Sequence, residues 1–375
     1  MGGSAAPGAA GAPGGVDVAK GLAARTLVRD ATRAVYRYHQ VFAEPVTGRA
    51  LVRKMVVCAL RLEPWTELVV RPHEAAPPEA TAAQLAALRA TRIAPAPVFA
   101  GYRDAATEVE RLFRRVDSER PTIEVTTADH TVHRLWRVQS AELIGSLRTQ
   151  LAPKKATVLD GHDRYEASLA YRDELAAVQP LALYSSANYA LACLVDLGDP
   201  TLITAPCHRV IRGAVPSQTA LAAARPYFVI DRLAGAAGDL ARQRAALADT
   251  LAHQPAFVVV WAGEPDAWKL TLSPDISPIN EGVQVHRALQ KLDPIVAELF
   301  LARAMPGAKR EIATSAEAAF AAKADAVVIM RPLSVDQISH VVELGQVLPA
   351  GSTAFHPPLA AGLVSSVIDP DEDLV

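Results

Sequence analysis

Residues 156–166 read Ala-Thr-Val-Leu-Asp-Gly-His-Asp-Arg-Tyr-Glu, and the fold class is decided there. Ala156 to Leu159 is a short apolar run of buried-strand length that leads directly into Asp160-Gly161-His162. Helical periodicity follows from Tyr165 to Gln179. A strand, a tight glycine turn and a helix bring side chains to a sheet edge, with the positive end of the helix toward whatever binds there. Upstream, Ala141 to Gln150 reads as a helix, and Thr122 to Thr127 with Thr131 to Val138 as a hairpin. Ala34 to Phe42 and Arg53 to Leu62 alternate as strands do. Ala80 to Arg92, entered after Pro77-Pro78 and ended by Pro95 and Pro97, is helical, as is Ala105 to Val116. Val16 to Arg33 reads as a short helix. Downstream, Tyr189 to Asp196 and Val258 to Trp261 are expected in a further sheet, with Asp325 to Met330 a buried strand. Ala237 to His253 and Val335 to Leu344 are expected helices. Strands and helices mix without a regular βαβ beat, so the fold class is α+β.

A chain of 375 residues has room for about two or three domains. Residues 1–15 are Gly, Ala and Pro with one Ser after Met1, and are expected to be a disordered tail. The expected division is one domain at 16–180, carrying the glycine turn, and a second α+β domain at 181–375. Acidic residues number 40 and basic ones 38, which excludes a broad electrostatic footprint for nucleic acid or an anionic membrane. No apolar run approaches the roughly 18 residues of a spanning helix. Residues 1–15 also lack the charged start and apolar stretch of a signal peptide. Cys58, Cys193 and Cys207 are far apart and odd in number, so no disulfide framework is expected. The expected location is the cytoplasm.

Five ionisable groups, Asp160, His162, Asp163, Arg164 and Glu166, fall within seven positions after the strand. Asp160 suits orienting or deprotonating a hydroxyl, and His162 an acid, base or phosphate-donor role. Gly161 permits close backbone approach, and Arg164 offers a planar fork for phosphate or carboxylate. A solvated helix N-terminus would have the same composition. His73-Glu74 sets a carboxylate beside an imidazole, a general-base pattern that a plain surface pair also shows. Cys207 and His208 are adjacent, and adjacent strand residues point to opposite faces, which argues against a direct catalytic pair. His208 or Arg209 as an anion contact is the functional alternative to a structural role. His73, His162 and His208 lack metal-ligand spacing, and no metal site is expected. Neither GxGxxG after a strand nor GxxxxGK with Ser or Thr occurs, so a nucleotide would be held by another device.

Taken in order, several segments resemble a bacterial family, domain of unknown function 1015. They are Arg71-Pro72-His73-Glu74, Leu88-Arg89-Ala90-Thr91-Arg92 with Ala96-Pro97, and His133-Arg134-Leu135-Trp136. Asp160-Gly161-His162-Asp163-Arg164-Tyr165, Pro206-Cys207-His208-Arg209 and Ser352-Thr353-Ala354-Phe355-His356-Pro357 follow. The resemblance spans about residues 34–370. The glycine turn is also similar to one in ParB-like proteins that act as free-serine kinases. That implies a ParB-like mixed α/β N-terminal domain, ATP or ADP with Mg as cofactors, and a small-molecule metabolite or nucleotide as partner. It places Asp160, His162 and Arg164 near a nucleotide phosphate, with Glu74 the base for a substrate hydroxyl. Asp160 and His162 join Glu74 as catalytic candidates, and His73, Arg164, His208 and Arg209 are the cofactor contacts. These five N-terminal residues are expected to line one concave site.

The chain departs from the family pattern at several positions. Asp163 stands where the family has a second His, Gly351 and Pro358 where it has Lys, and Ala75-Ala76 where it has polar residues. The family's N-terminal Ala-Pro-Pro-Tyr-Asp-Val segment has no match here. A small-molecule phosphotransferase with a degraded site is therefore one expectation, and a catalytically silent nucleotide- or metabolite-binding regulator the alternative. A DNA-partition role finds no support in a near-neutral charge balance without a helix-turn-helix.

Overall fold

The computed structural model describes residues 27–251 and 254–374. The expected tail at 1–15 lies outside them, as do residues 16–26 and 252–253 of two expected helices. Residues 27–33, assigned to the first of those helices, form bends and irregular chain instead. The architecture is α+β. Among the described residues there are two compact units: 27–203 together with 355–374 (the N unit), and 204–354 (the C unit).

The N unit is built on one mixed sheet. Its strands and helices in chain order are β1 (Val35–Ala43), β2 (Ala50–Arg61), β3 (Val70–Pro72), α1 (Pro78–Thr91), β4 (Val98–Tyr102) and α2 (Glu108–Leu112). They continue with β5 (Ile123–Thr126), β6 (Val132–Val138), α3 (Ala141–Leu151), β7 (Ala156–Asp160), α4 (His162–Val178) and β8 (Tyr189–Asp196). The spatial order of the eight strands is β3-β7-β4-β8-β2-β1-β6-β5. Period-two alternation gives the sheet two different faces. Val56, Ala100, Tyr102, Ala192 and Leu194 pack with Val109, Phe113 and Leu147 of the α2–α3 region. Val98, Val158 and Ala190 pack with Tyr165 of α4. The intervening positions, among them Tyr38, Gln40, Arg53, Met55, Phe99 and Cys193, are also buried.

Strand β8 corrects an expectation. Tyr189–Asp196 was assigned to a further sheet, yet it lies inside this one, parallel to β4 and antiparallel to β2. The division between units accordingly falls after Ile203 rather than at 180/181. An apolar run announces burial, and says nothing of which strands flank it. The helix expected at 105–116 is shorter, because the Asp104 carboxylate accepts the Val109 N–H at 2.9 Å and holds 104–107 as a turn.

In the C unit the elements are β9 (His208–Arg212), α5 (Ser217–Ala224), β10 (Phe228–Leu233), α6 (Leu240–Ala248), β11 (Ala256–Trp261) and β12 (Ala267–Leu272). After them come α7 (Asp293–Ala304), β13 (Lys309–Ala313), α8 (Ala316–Ala321), β14 (Ala326–Ile329) and α9 (Val335–Glu343). Six antiparallel strands run in the order β10-β12-β11-β14-β9-β13. Every residue of Ala256–Trp261 is buried because helices cover both faces. Phe257, Val259 and Trp261 meet residues of α5 and α7, while Val258 and Val260 meet those of α6 and α8.

One buried cation fastens the helical layer of the N unit to its sheet. Arg37 of β1 is 1% exposed and its guanidinium lies 4.9 Å from the Phe113 ring centre. It donates to Asp117 Oδ1 at 2.9 Å and to Glu110 Oε1 at 2.9 Å. Burial pushes the Asp117 carboxyl up, but hydrogen bonds from His39 and Arg37 outweigh it and hold the group well below the usual carboxylate range. Removing the cation alone takes the guanidinium from Glu110 and leaves Asp117 only Lys54, at 3.0 Å, and the His39 ring. Arg37→Met should therefore cost about 3 kcal/mol in urea unfolding, and a loss under about 1 kcal/mol would show the pairs to be incidental.

Candidate functional site

Strands β3 and β7 are parallel, with Pro72 opposite Val158. Parallel strands end on the same side, so the residues that follow them, His73-Glu74 and Gly161-His162, emerge together. His73 Nδ1 lies 2.6 Å from the Val158 carbonyl oxygen. A carbonyl only accepts, so in the neutral ring Nδ1 carries the proton and Nε2 does not. The ring rests against His162 with centroids 4.8 Å apart, and the Phe355 ring meets it edge-on at 6.4 Å. Glu74 Oε2 is 3.8 Å from His73 Nε2, beyond hydrogen-bond length.

Both histidines are removed from water, His73 at 0% and His162 at 7% exposure. Burial pushes His73 down to about 4, against smaller upward pulls from the Val158 carbonyl and the Asp160 carboxylate. Burial also drives His162 well below the ordinary histidine value, and the adjacent His73 and Arg164 push the same way. At neutral pH the pair is uncharged.

Helix α4 opens on Gly161, whose φ of 83° is a left-handed conformation that glycine adopts freely. No side chain caps the helix there, so its first N–H groups are available to a ligand. Gly161 N–H donates to Asp160 Oδ1 at 2.8 Å, and Arg164 Nη2 reaches Asp160 Oδ2 at 3.4 Å. The Arg164 guanidinium folds over the glycine: a Cβ at 161 would lie 2.5 Å from Nη2. Three nitrogen atoms in these segments, His162 Nε2, Arg164 Nε and Arg71 Nε, are buried without a hydrogen-bond partner in the protein. Tyr165 anchors the next turn through hydrogen bonds with both backbone groups of Glu63, at 2.8 and 2.9 Å. Asp163 sits in the first turn, half-buried.

The structure thus brings His73, Glu74 and His162 together by direct contact, with the Asp160–Arg164 pair on the same glycine turn. His208 and Arg209 lie in the C unit, at the start of β9. His208 Nδ1 accepts the Met330 N–H at 3.1 Å, and burial, aided by Arg244, lowers its imidazole to about 4. Arg209 Nη1 donates to the carbonyls of Cys207 and Gly351 at 2.9 and 2.8 Å, and its Nε is 3.7 Å from Glu298. Among the described residues no cluster of three or more His, Cys, Asp or Glu side chains has metal-site geometry. No helix there is long and apolar enough to cross a membrane. Sequence reading assigned no role to Arg71 or Phe355. Both stand inside motifs quoted above, and only the parallel strand pairing and the ring contacts single them out.

A family described as "Protein of unknown function (DUF1015)" matches residues 17–299. No curated protein matches the chain. Among solved structures, SbnI with a C-terminal truncation, from Staphylococcus aureus, is similar at 12% identity, covering 85% of this chain and 91% of that one with a TM-score of 0.44. A conserved hypothetical protein from Pyrococcus furiosus has 11% identity, coverage of 83% and 95%, and a TM-score of 0.42. A free serine kinase in complex with AMP has 11% identity, coverage of 84% and 92%, and a TM-score of 0.42.

The histidine pair makes the fold acid-sensitive. Above pH 6.5 the imidazoles are neutral in both folded and unfolded chains and contribute nothing to the pH dependence. Between 6.5 and about 4 the unfolded chain takes protons that folded His73 refuses, so stability falls as the pH drops. The shift at His73 corresponds to a loss on the order of 3 kcal/mol once the pH is below 4. Urea titrations at pH 7 and 4.5 should show most of it, about 2.5 kcal/mol. His73→Asn, which keeps an N–H for Val158 but does not titrate, should lose less; an identical loss would locate the sensitivity elsewhere.

Proposed function

We propose that this chain, which belongs to the DUF1015 family of proteins of unknown function, binds the phosphates of ATP or ADP at the start of α4 and transfers a phosphoryl group to a small-molecule hydroxyl. The observation that carries the reading is the buried His162 Nε2, without a protein partner, at an uncapped helix N-terminus. Leaving a buried polar nitrogen unpaired costs about 1–3 kcal/mol, and a phosphate oxygen, which only accepts, removes that cost when His162 carries a proton on Nε2, as the Nε2 tautomer or as the cation that a bound phosphate would stabilise. Arg164 Nε and Arg71 Nε are unpaired in the same way. Helix N–H groups, an imidazole and guanidinium groups together are a donor set for a polyanion.

In this reading Glu74 takes the proton from the substrate hydroxyl, whose oxygen then attacks the terminal phosphorus. The bond from that phosphorus to the bridging oxygen breaks, and the nucleotide leaves one phosphate shorter. Asp160, exposed at the end of β7, is the carboxylate suited to hold Mg2+ with the phosphates, and the ion would supply charge neutralisation. The similarity of the glycine turn to that of ParB-like free-serine kinases supports an amino-acid hydroxyl as acceptor. His208 and Arg209 have no role in this reading, since Arg209 is engaged by two carbonyls.

Asp163 favours a second reading, a binding protein without turnover. A carboxylate about 5 Å from a phosphate charge costs roughly 3 kcal/mol at an effective dielectric near 20, before screening. Calorimetric titration with ADP and ATP, with and without Mg2+, tests both readings, alongside product assays over a panel of hydroxyl amino acids. Binding that falls about tenfold or more in His162→Ala and Arg164→Ala is expected. Phosphorylated product supports the transferase; saturable binding without product supports the silent protein. Wild-type protein that binds neither nucleotide removes both. Asp163→His should raise affinity, more at low salt than at high salt; unchanged affinity would mean that Asp163 does not face the phosphate.

A further inference from the structure

The segment Phe355-His356-Pro357-Pro358 poses a hydrogen-bonding problem. Phe355 and His356 end a short strand, Ala354–His356, and Pro357 and Pro358 have no N–H, so the ladder cannot continue through them as donors while the carbonyls that follow still need donors. The N-unit sheet supplies them from side chains. Arg53 of β2 donates from Nη1 to the His356 carbonyl at 3.2 Å and from Nη2 to the Pro357 carbonyl. Gln40 of β1, directly opposite Arg53 in the antiparallel register, donates to the Pro358 carbonyl at 2.8 Å. Its own side-chain oxygen accepts from Arg53 Nε at 3.1 Å, which fixes the guanidinium plane. Three consecutive carbonyls are thus held by two side chains.

The clamp has a direct route to the histidine pair. The Arg53 guanidinium stacks over Phe99 at 5.3 Å. Phe99 meets Phe355 edge-on at 5.6 Å, and Phe355 meets His73 edge-on at 6.4 Å. We propose that Arg53 is a positioning residue for the candidate site: by holding the carbonyls after Phe355 it keeps that ring against His73 and shields the imidazole pair from water. Arg53 is 0% exposed and its hydrogen bonds all go to neutral acceptors. A buried cation without a carboxylate partner is an expensive way to fill a core, which argues for its donor geometry rather than its charge. Burial lowers its guanidinium only to about 10, so it stays charged at neutral pH.

The bearing of this clamp on catalysis rests on the nucleotide reading above, but its test needs no nucleotide. Hydrogen exchange by mass spectrometry and modification of His73 by a histidine reagent are measured on the full chain for wild type, Arg53→Met, Arg53→Lys and Gln40→Leu. The peptide spanning 354–361 should exchange about tenfold faster in Arg53→Met, and His73 should become reactive, while the peptide spanning 189–196 keeps its protection. Arg53→Lys, with fewer donors and no planar fork, should be intermediate. Folded Arg53→Met with wild-type exchange at 354–361 and an unreactive His73 overturns the proposal, as does a uniform rise across all peptides. If Arg53→Met does not fold, Gln40→Leu decides in the same way, since it leaves the charge in place and removes the donor to Pro358. Release of the segment in a protein that binds no nucleotide would leave Arg53 assigned and the nucleotide reading refuted.

Discussion

The hydrogen bond from His73 Nδ1 to the Val158 carbonyl is the constraint on which the N-unit site depends. Pro72 ends β3 opposite Val158 and brings no N–H to the ladder, and the next side chain supplies a donor in its stead. One bond then has several consequences. It fixes the tautomer of His73, sets Nε2 3.8 Å from Glu74 Oε2, and lays the ring on His162 at the first turn of α4. Two neutral imidazoles in contact are tolerable only because burial has already made the charged forms unfavourable. With one ring protonated, protonating the other would add repulsion to the cost of desolvation.

The two sheets use burial differently. In the C unit both faces are apolar, and Ala256–Trp261 is closed above and below by helices. Such a core stabilises without selecting chemistry. The N-unit sheet carries polar side chains on the face opposite α2 and α3, and each finds a partner there. Tyr38 Oη pairs with His133 Nδ1 at 2.6 Å, His133 Nε2 with Thr127 Oγ1 at 3.0 Å, and Arg53 with Gln40 and the backbone after Phe355. A satisfied polar layer in a low dielectric fixes one arrangement more sharply than an apolar one, because any slip leaves a buried group unpaired.

Much of this was legible from local pattern. The strand–glycine–helix unit at 156–178 shows in the sequence because each part carries its own signal: an apolar run, a residue free to take positive φ, and a periodic helix. The antiparallel strands β1, β2, β5 and β6 are visible through alternation. Partners across long separations are not. Nothing local in Tyr189–Asp196 says that it will lie between β4 and β2, and Val98–Tyr102 after two prolines reads only as a helix stop. The site was half legible for the same reason. His73-Glu74 and Asp160-Gly161-His162 stand out by composition, but their meeting depends on the parallel register of β3 and β7. Arg53 carried no signal at all. An arginine in an alternating strand reads as solvent-facing, and only the proline pair more than 300 residues later explains its burial.

Charge summed over the two site segments constrains any anion that binds there. With His73 and His162 neutral, residues 71–74 and 160–164 carry Glu74, Asp160 and Asp163 against Arg71 and Arg164, a formal sum of −1. A protonated second histidine in place of Asp163 would make the same sum +1. Under the proposed reading the donors would meet a phosphate against a net field that opposes it. Helix N–H groups offset part of that field at close range, since their effect falls off within one turn. Under that reading the remainder would be met by a cation arriving with the nucleotide, for which Asp160, exposed at the end of β7, is the candidate carboxylate. Under the proposed phosphotransfer, the divalent ion is then a condition of binding, not only of the chemical step. For a ligand of low charge the same donor set works without one. The charge of the ligand therefore decides between the two functional readings before its shape does.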